Sequence, residues 1–342
     1  MRSEAAQFNP GLALFSKLVC VTTLGLIFAG GVVTSKNVGL AVPDWPTSYG
    51  YHMWGLPFSM WKGGVLYEHF HRVFASATGL LVLVIAVWLH VSEKRKAVRW
   101  LGIACLVAVL TQGILGGITV RLTLPLVVSV AHAVLAQIFL CLTIVLAYSL
   151  SREHFNRVNV GAAPDASFLR RSIFLVLVIL LQLVVAAYMR HDMKHQGGVA
   201  IPDFPTVTEK WFPRFDDEAL GWVNSWRSTA VWEHNATFEI AQPVRSSQMA
   251  VHFAHRILAF VLVALCLAFS VAAYRHYRGD SDVLESFYIL DALIGIQVIL
   301  GIFVVWSNKG ELVTTLHVMI GAASLGAAVL LALRAAPSVE VT

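Results

Sequence analysis

Thirteen histidines are spread through this 342-residue chain, and four of them repeat a spacing. His132 follows His71, and His317 follows His255, at intervals that agree within one residue. All four fall in long apolar stretches, where an ionisable side chain is costly and marks function. Two neutral imidazoles from facing helices at one depth can ligate a planar metal cofactor from both sides, and imidazole is a good ligand for haem iron. No Cys, Asp or Glu cluster offers the further ligands of a compact zinc or copper site. The cysteines Cys20, Cys105, Cys141 and Cys266 lie singly in apolar runs and form neither a CxxC site nor a disulfide framework. An interhelical hydrogen bond at each histidine is the plainer reading, but it does not require matched placement. The pattern predicts two haem sites, His71 with His132 and His255 with His317.

Around these pairs the chain repeats itself. GLAVPDWPT (39–47) returns as GVAIPDFPT (198–206), and EHFHR (68–72) as HFAHR (252–256). TQGILGG (111–117) returns as IQVILGI (296–302), and VAHAVLAQ (130–137) as TLHVMIGA (315–322). Four phrases in one order indicate a tandem duplication. One difference stands out: Glu68 corresponds to His252, each three residues before a ligand candidate and so on its helix face. A carboxylate beside a haem edge can stabilise a developing cation or take a proton from attacking water; it can also simply pair with Arg72 four residues on. Arg72 and Arg256 each follow a ligand histidine and are candidate partners for haem propionates. Asp44 and Asp203 tie down their proline-flanked turns. His52, His191, His195 and His234 lie in loops and are weaker candidates, and His69 faces away from His71.

These side chains need long apolar elements to hold them. Of the residues, 57% are hydrophobic and 13% charged, against about 25% charged in soluble domains. That excludes an ordinary soluble enzyme, a disordered chain and a nucleic-acid-binding module. Eight stretches reach the roughly 20 apolar residues a membrane span needs: 12–33, 68–91, 98–119, 125–149, 169–189, 250–274, 284–306 and 312–334. The predicted fold is an all-α polytopic membrane protein, two tandem four-helix bundles related by a pseudo-two-fold axis along the membrane normal. The first unit covers 12–149, a cytoplasmic linker 150–168, and the second unit 169–334 with a long outer loop at 190–249. Lys and Arg gather in the loops after spans 2, 4 and 6 and after span 8, so both termini are expected in the cytoplasm. The opposite loops carry seven tryptophans, most of them read as interface anchors. About 25 extra residues within 207–249, rich in aromatic and acidic side chains, are expected to form an outer cap or a partner surface.

Gly-Leu-x-x-Pro-Asp-Trp-Pro in the first loop, Glu-x-x-His-Arg opening span 2, and paired histidines in spans 2, 4, 6 and 8 resemble haem A synthases over about residues 14–334. The resemblance implies an inner-membrane oxidoreductase that converts the C8 methyl of haem O to a formyl group, giving haem A for cytochrome oxidase. It implies that His71 and His132 hold the substrate haem, that His255 and His317 hold a haem b for electron transfer, that Glu68 is catalytic and that His252 is accessory. The partners it implies are haem O and an unidentified electron acceptor; the protohaem farnesyltransferase that makes haem O and further copies of the chain are candidate partners, and no nucleic acid is expected. Some members flank the Pro-Asp-Trp-Pro turn with cysteines; here Val42 and Ser48 stand there, which excludes a disulfide relay. Two other readings stay open from the residues alone: a dihaem electron carrier, which leaves Glu68 unexplained, and a transporter, whose sites usually sit at the midplane on broken helices.

Overall fold

The computed structural model describes residues 8–160, 166–193, 198–212, 214–233, 242–276 and 281–336. His195 and His234 lie outside them, as does part of the expected cap. Ten α-helices are present among these residues: α1 (Pro10–Ser35), α2 (Gly64–Ser92), α3 (Lys96–Arg121), α4 (Leu126–Ser149), α5 (Arg152–Val160), α6 (Ala166–Asp192), α7 (Asp217–Glu233), α8 (Ser246–His276), α9 (Ser281–Trp306) and α10 (Glu311–Ala335). Eight of them, all but α5 and α7, are long and apolar enough to cross a membrane, and each expected span lies inside one of these eight, except that the fourth begins one residue early, at the N-cap Pro125 of α4. The helices overrun the hydropathy signal because caps and polar ends extend them. Asn9, for example, caps α1 by accepting the Gly11 and Leu12 amides.

Helices α1, α2, α3 and α4 close a ring of neighbouring contacts, and α6, α8, α9 and α10 close a second. Between the rings, α1 meets α10, α4 meets α6 and α4 meets α10. Exchanging the two halves turns the first of these contacts into the second and leaves the third unchanged. The seam is polar at the loop-bearing end. Arg190 donates to Gly31 O and Ser35 Oγ at 2.9 Å, Thr315 donates to Ser35 Oγ at 3.0 Å, and Lys36 pairs with Glu311.

Each ring is sealed at the end away from the long loops by its own apolar cluster. Val82, Ile85, Leu89, Cys105 and Leu146 are among the buried residues of the first, and Leu175, Cys266, Phe287, Leu290 and Leu331 among those of the second. Between these clusters and the long loops lies a cavity, and the chemistry-bearing residues line it. The linker at 150–168 holds a helix, α5, tied to the second unit by Arg157, which donates to Arg334 O at 2.9 Å. α6 runs past the expected loop start to Asp192. The inserted segment supplies α7, whose Ala219 and Val223 pack with Ile201, Val207 and Met249 over the loop end of the second unit.

Candidate functional site

The two loop phrases build the same clamp. Asp44 accepts the Thr47 hydroxyl at 2.6 Å and the Tyr49 and Gly50 amides at 2.6 and 2.8 Å. Asp203 accepts the Thr206 hydroxyl at 2.7 Å and the Thr208 and Glu209 amides at 3.0 Å. Tyr49 and Thr208 both take positive φ, 52° and 51°, a strained choice for residues with a Cβ that the aspartate bonds hold in place. Burial works against the Asp44 carboxylate, yet these donors hold it at about 2. The expected role of both aspartates as turn anchors is what the geometry shows.

The clamp reaches the helix below through Glu68 and His252. Val42 N donates to Glu68 Oε2 at 2.8 Å, and at the matching place Ile201 N donates to His252 Nδ1 at 3.1 Å. Arg72 then closes the first clamp, donating to Val42 O at 2.7 Å, Asp44 O at 2.6 Å and Glu68 Oε1 at 2.6 Å. Arg256 closes the second, donating to Ile201 O at 2.9 Å and Thr206 O at 3.1 Å. Both arginines line the cavity described below, but these donors serve the loops, a task the sequence did not reveal. His69 faces away from His71, as expected: it bonds Ser48 Oγ at 3.0 Å and meets Trp61 edge-on. Trp45 is half-buried and packs on α3. Its ring lies where a Cβ on Gly117 would sit, 2.3 Å away, so only glycine admits it there.

His71, His132, His255 and His317 all line one cavity of about 1640 Å³ that runs across both units. Ordinary ligand pockets measure about 300–1,000 Å³, so this one has room for more than one large ligand. Glu68, Arg72, His252 and Arg256 line it too, as do His52 and His191. The ring centroids of His255 and His317 are 6.4 Å apart. An iron midway between two imidazoles, at a metal–nitrogen distance of about 2 Å, requires a separation of about 6 Å. Each of the four rings also leaves a buried Nδ1 without a partner. Among the described residues no three His, Cys, Asp or Glu side chains group to hold a bare metal ion. The spacing of His255 and His317 therefore fits a macrocycle that brings its own equatorial ligands.

Three glutamines escaped the sequence reading. Gln112 donates to His132 O at 2.9 Å, Gln182 donates to His255 O at 3.0 Å, and Gln297 Nε2 stands 3.4 Å from His317 Nε2. Gln112 and Gln297 occupy matched places in the repeated phrases TQGILGG and IQVILGI, a signal that was available. The same phrases carry Gly116 and Gly301, whose missing side chains let His132 and His317 lie against α3 and α9. Gln182 had no such signal, because α1 and α6 share no phrase. The cavity-lining positions of α1 (Leu26, Ile27, Gly30, Gly31, Thr34) have the spacing of those in α6 (Gln182, Leu183, Ala186, Ala187, Arg190). Leu26 is thus the counterpart of Gln182, and His71 packs on Gly30 instead.

Comparison with known proteins gives a consistent picture. The profile of the COX15-CtaA family, described as cytochrome oxidase assembly protein, matches residues 51–333. A protein of Shewanella oneidensis named heme A synthase is 25% identical over 304 residues, covering 84% of this chain and 85% of the relative. Another of that name from Halalkalibacterium halodurans is 29% identical, with 90% and 92% covered. One from Novosphingobium aromaticivorans is 26% identical, with 78% and 71% covered.

Proposed function

The chain belongs to the COX15-CtaA cytochrome oxidase assembly family, and from that premise we propose that it is a haem A synthase, oxidising the C8 methyl of haem O to a formyl group. The observation that carries this reading is the pairing of likeness and difference: two histidine pairs line one cavity, and only the first has a carboxylate, Glu68, beside it. In this reading haem O binds between His71 and His132 as substrate, and the second pair holds a haem b, which supplies a one-electron relay when bound.

Two successive hydroxylations of the methyl would give a gem-diol that loses water to the aldehyde. Removal of electrons from the methyl leaves positive charge on that carbon, and Glu68 is placed to oppose it or to take the proton of the incoming water. Its carboxylate is fixed from two sides, by the Val42 amide and the Arg72 guanidinium, so little reorganisation is needed as charge develops. His252, in the same place in the second unit, is neutral at the Nδ1 that accepts Ile201 N. It carries no charge to offer there and serves as an accessory loop contact. The proposal extends to a bacterial inner membrane with both termini in the cytoplasm, to haem O delivered by the farnesyltransferase that makes it, and to an electron acceptor and self-association.

The test is co-expression with a source of haem O, followed by extraction and mass identification of the pigments from wild type and Glu68→Ala. Haem A or its alcohol precursor in the wild type, absent from the variant, is the expected result. Protohaem alone in the wild type would instead make the chain a dihaem carrier.

A further inference from the structure

The charges around the cavity do not balance, and the imbalance sits in one unit. Among the described residues lining it, Glu68 is the only acidic one, and Arg72 is its partner. Three cations remain, Arg190, Arg256 and Lys309, all belonging to the second unit. Arg256 is engaged with loop carbonyls. Arg190 spends one terminal nitrogen on the seam with α1 and leaves a buried Nε without a partner. Among the described residues, the charged groups acting on Lys309 are Arg190 and Arg227. Burial, with those two charges, pulls the Lys309 ammonium down to about 8.

The backbone of the first unit makes the same places without the charge. Thr123 and Leu124 take φ of 56° and 60°, and Asn308 and Lys309 take 46° and 70°. Leu124 N reaches Thr119 O at 2.6 Å, and Lys309 N reaches Val304 O at 2.7 Å. Lys309 therefore stands where the first unit has Leu124, and Arg190 where it has Thr34. The turn does not need a lysine, nor the helix end an arginine. Half-buried cations in a largely apolar wall without counter-charges are costly, and Arg190 is close enough to His317 for its charge to act on that ring.

We propose that Arg190 and Lys309 form a carboxylate-binding pair that holds the two propionates of the haem seated between His255 and His317, and so fixes that unit as the one that keeps its haem. This rests on the reading of the second histidine pair as a haem b site. The first unit, with Thr34 and Leu124 in those places, offers an apolar wall in their stead. A lipid phosphate at the loop end is the other anion with the required chemistry, and the experiment separates the two.

The full-length protein carrying His71→Ala, so that the second unit alone reports, is titrated with protohaem and with its dimethyl ester, following the bis-histidine absorption bands. The parent should bind protohaem about tenfold or more tightly than the ester, since charge-assisted pairs are lost on esterification. Added Arg190→Gln or Lys309→Gln should erase most of that preference, and Arg190→Lys should keep it. Loss of a merely structural contact at the α1 seam would weaken both ligands alike and leave the preference intact, which overturns the proposal. A parent that shows no preference, with protohaem binding that anionic lipid instead weakens or strengthens, assigns the pair to lipid and overturns it equally. If the parent binds no protohaem, or binds it unchanged after His255→Ala, the haem b reading itself falls.

Discussion

The two four-helix units share a pair of cavity-lining histidines and a loop clamp, and differ in what surrounds those histidines. Both have two histidines, an aspartate-anchored turn and an arginine reaching up to loop carbonyls. The first unit places Glu68, Leu26, Thr34 and Leu124 where the second has His252, Gln182, Arg190 and Lys309. One set is a single negative charge in otherwise apolar or weakly polar surroundings; the other is a set of hydrogen-bond donors and cations. On the proposed function, duplication preserved the scaffold, and a handful of substitutions separate a site suited to changing its ligand from one suited to keeping it.

The largest effects should come from the ligands. His255→Ala or His317→Ala should remove the haem b of the second unit, seen as loss of protohaem from the purified protein. His71→Ala or His132→Ala should abolish haem A while leaving that protohaem in place. Equal loss of protohaem from both sets would erase the proposed division of labour. Next in size is Glu68→Gln, which keeps the shape and a hydrogen bond from Val42 N. General acid–base groups are worth about 10²–10⁴ in rate, so haem A yield should fall about 100-fold or more with haem O still bound. A wild-type yield would remove Glu68 from the chemistry. His252→Gln, the mirrored change, should lower the yield far less, and comparable losses would mean that both residues act only through their loops.

A smaller effect is expected at Gln182. Groups that orient a metal-binding histidine typically influence affinity by about 10–100-fold, and Gln182 holds His255 through its backbone carbonyl, so Gln182→Leu should cost about tenfold in haem b retention. Leu26→Gln in the first unit should slow release of its haem, measured by transfer to an apoprotein acceptor. No change in either variant would mean that the glutamine difference has no bearing on how long a haem stays.

Much of this comparison was legible before any coordinates. Hydropathy marked all eight spanning helices, since lipid and packed helices both demand apolar runs of that length. The repeated phrases located the histidines, Glu68 and the turn aspartates, because those residues act through local sequence spacing. The loop-end seam, the Gln182 contact and the placing of Arg190 were not legible. They depend on which helix stands beside which, and α1 and α6 carry no common phrase to align them. Lys309 read as a mere loop charge because its significance lies in a backbone shape, shared with Leu124, that no residue type announces. The contact of Trp45 with Gly117 was not legible either, because the two residues are distant in the chain.

The smallest expected effect tests the shared part of the two units. Asp44 and Asp203 each accept three hydrogen bonds in matching turns. Asp44→Asn should cost roughly 1 kcal/mol, or about 2–4 °C in Tm, and Asp203→Asn about as much. For Asp44 the pH dependence follows from its depressed value of about 2, against about 3.9 for a free carboxylate. A carboxylate with a lowered folded-state pKa stabilises most where it is ionised in both states. Its contribution is therefore complete above about pH 4 and disappears as the pH falls through about 2. The gap in Tm between wild type and Asp44→Asn should stay constant from pH 5 to pH 8. A gap that changes across that range would show that some other group carries the stability of the turn, and unequal losses at Asp44 and Asp203 would show that the two clamps bear different loads.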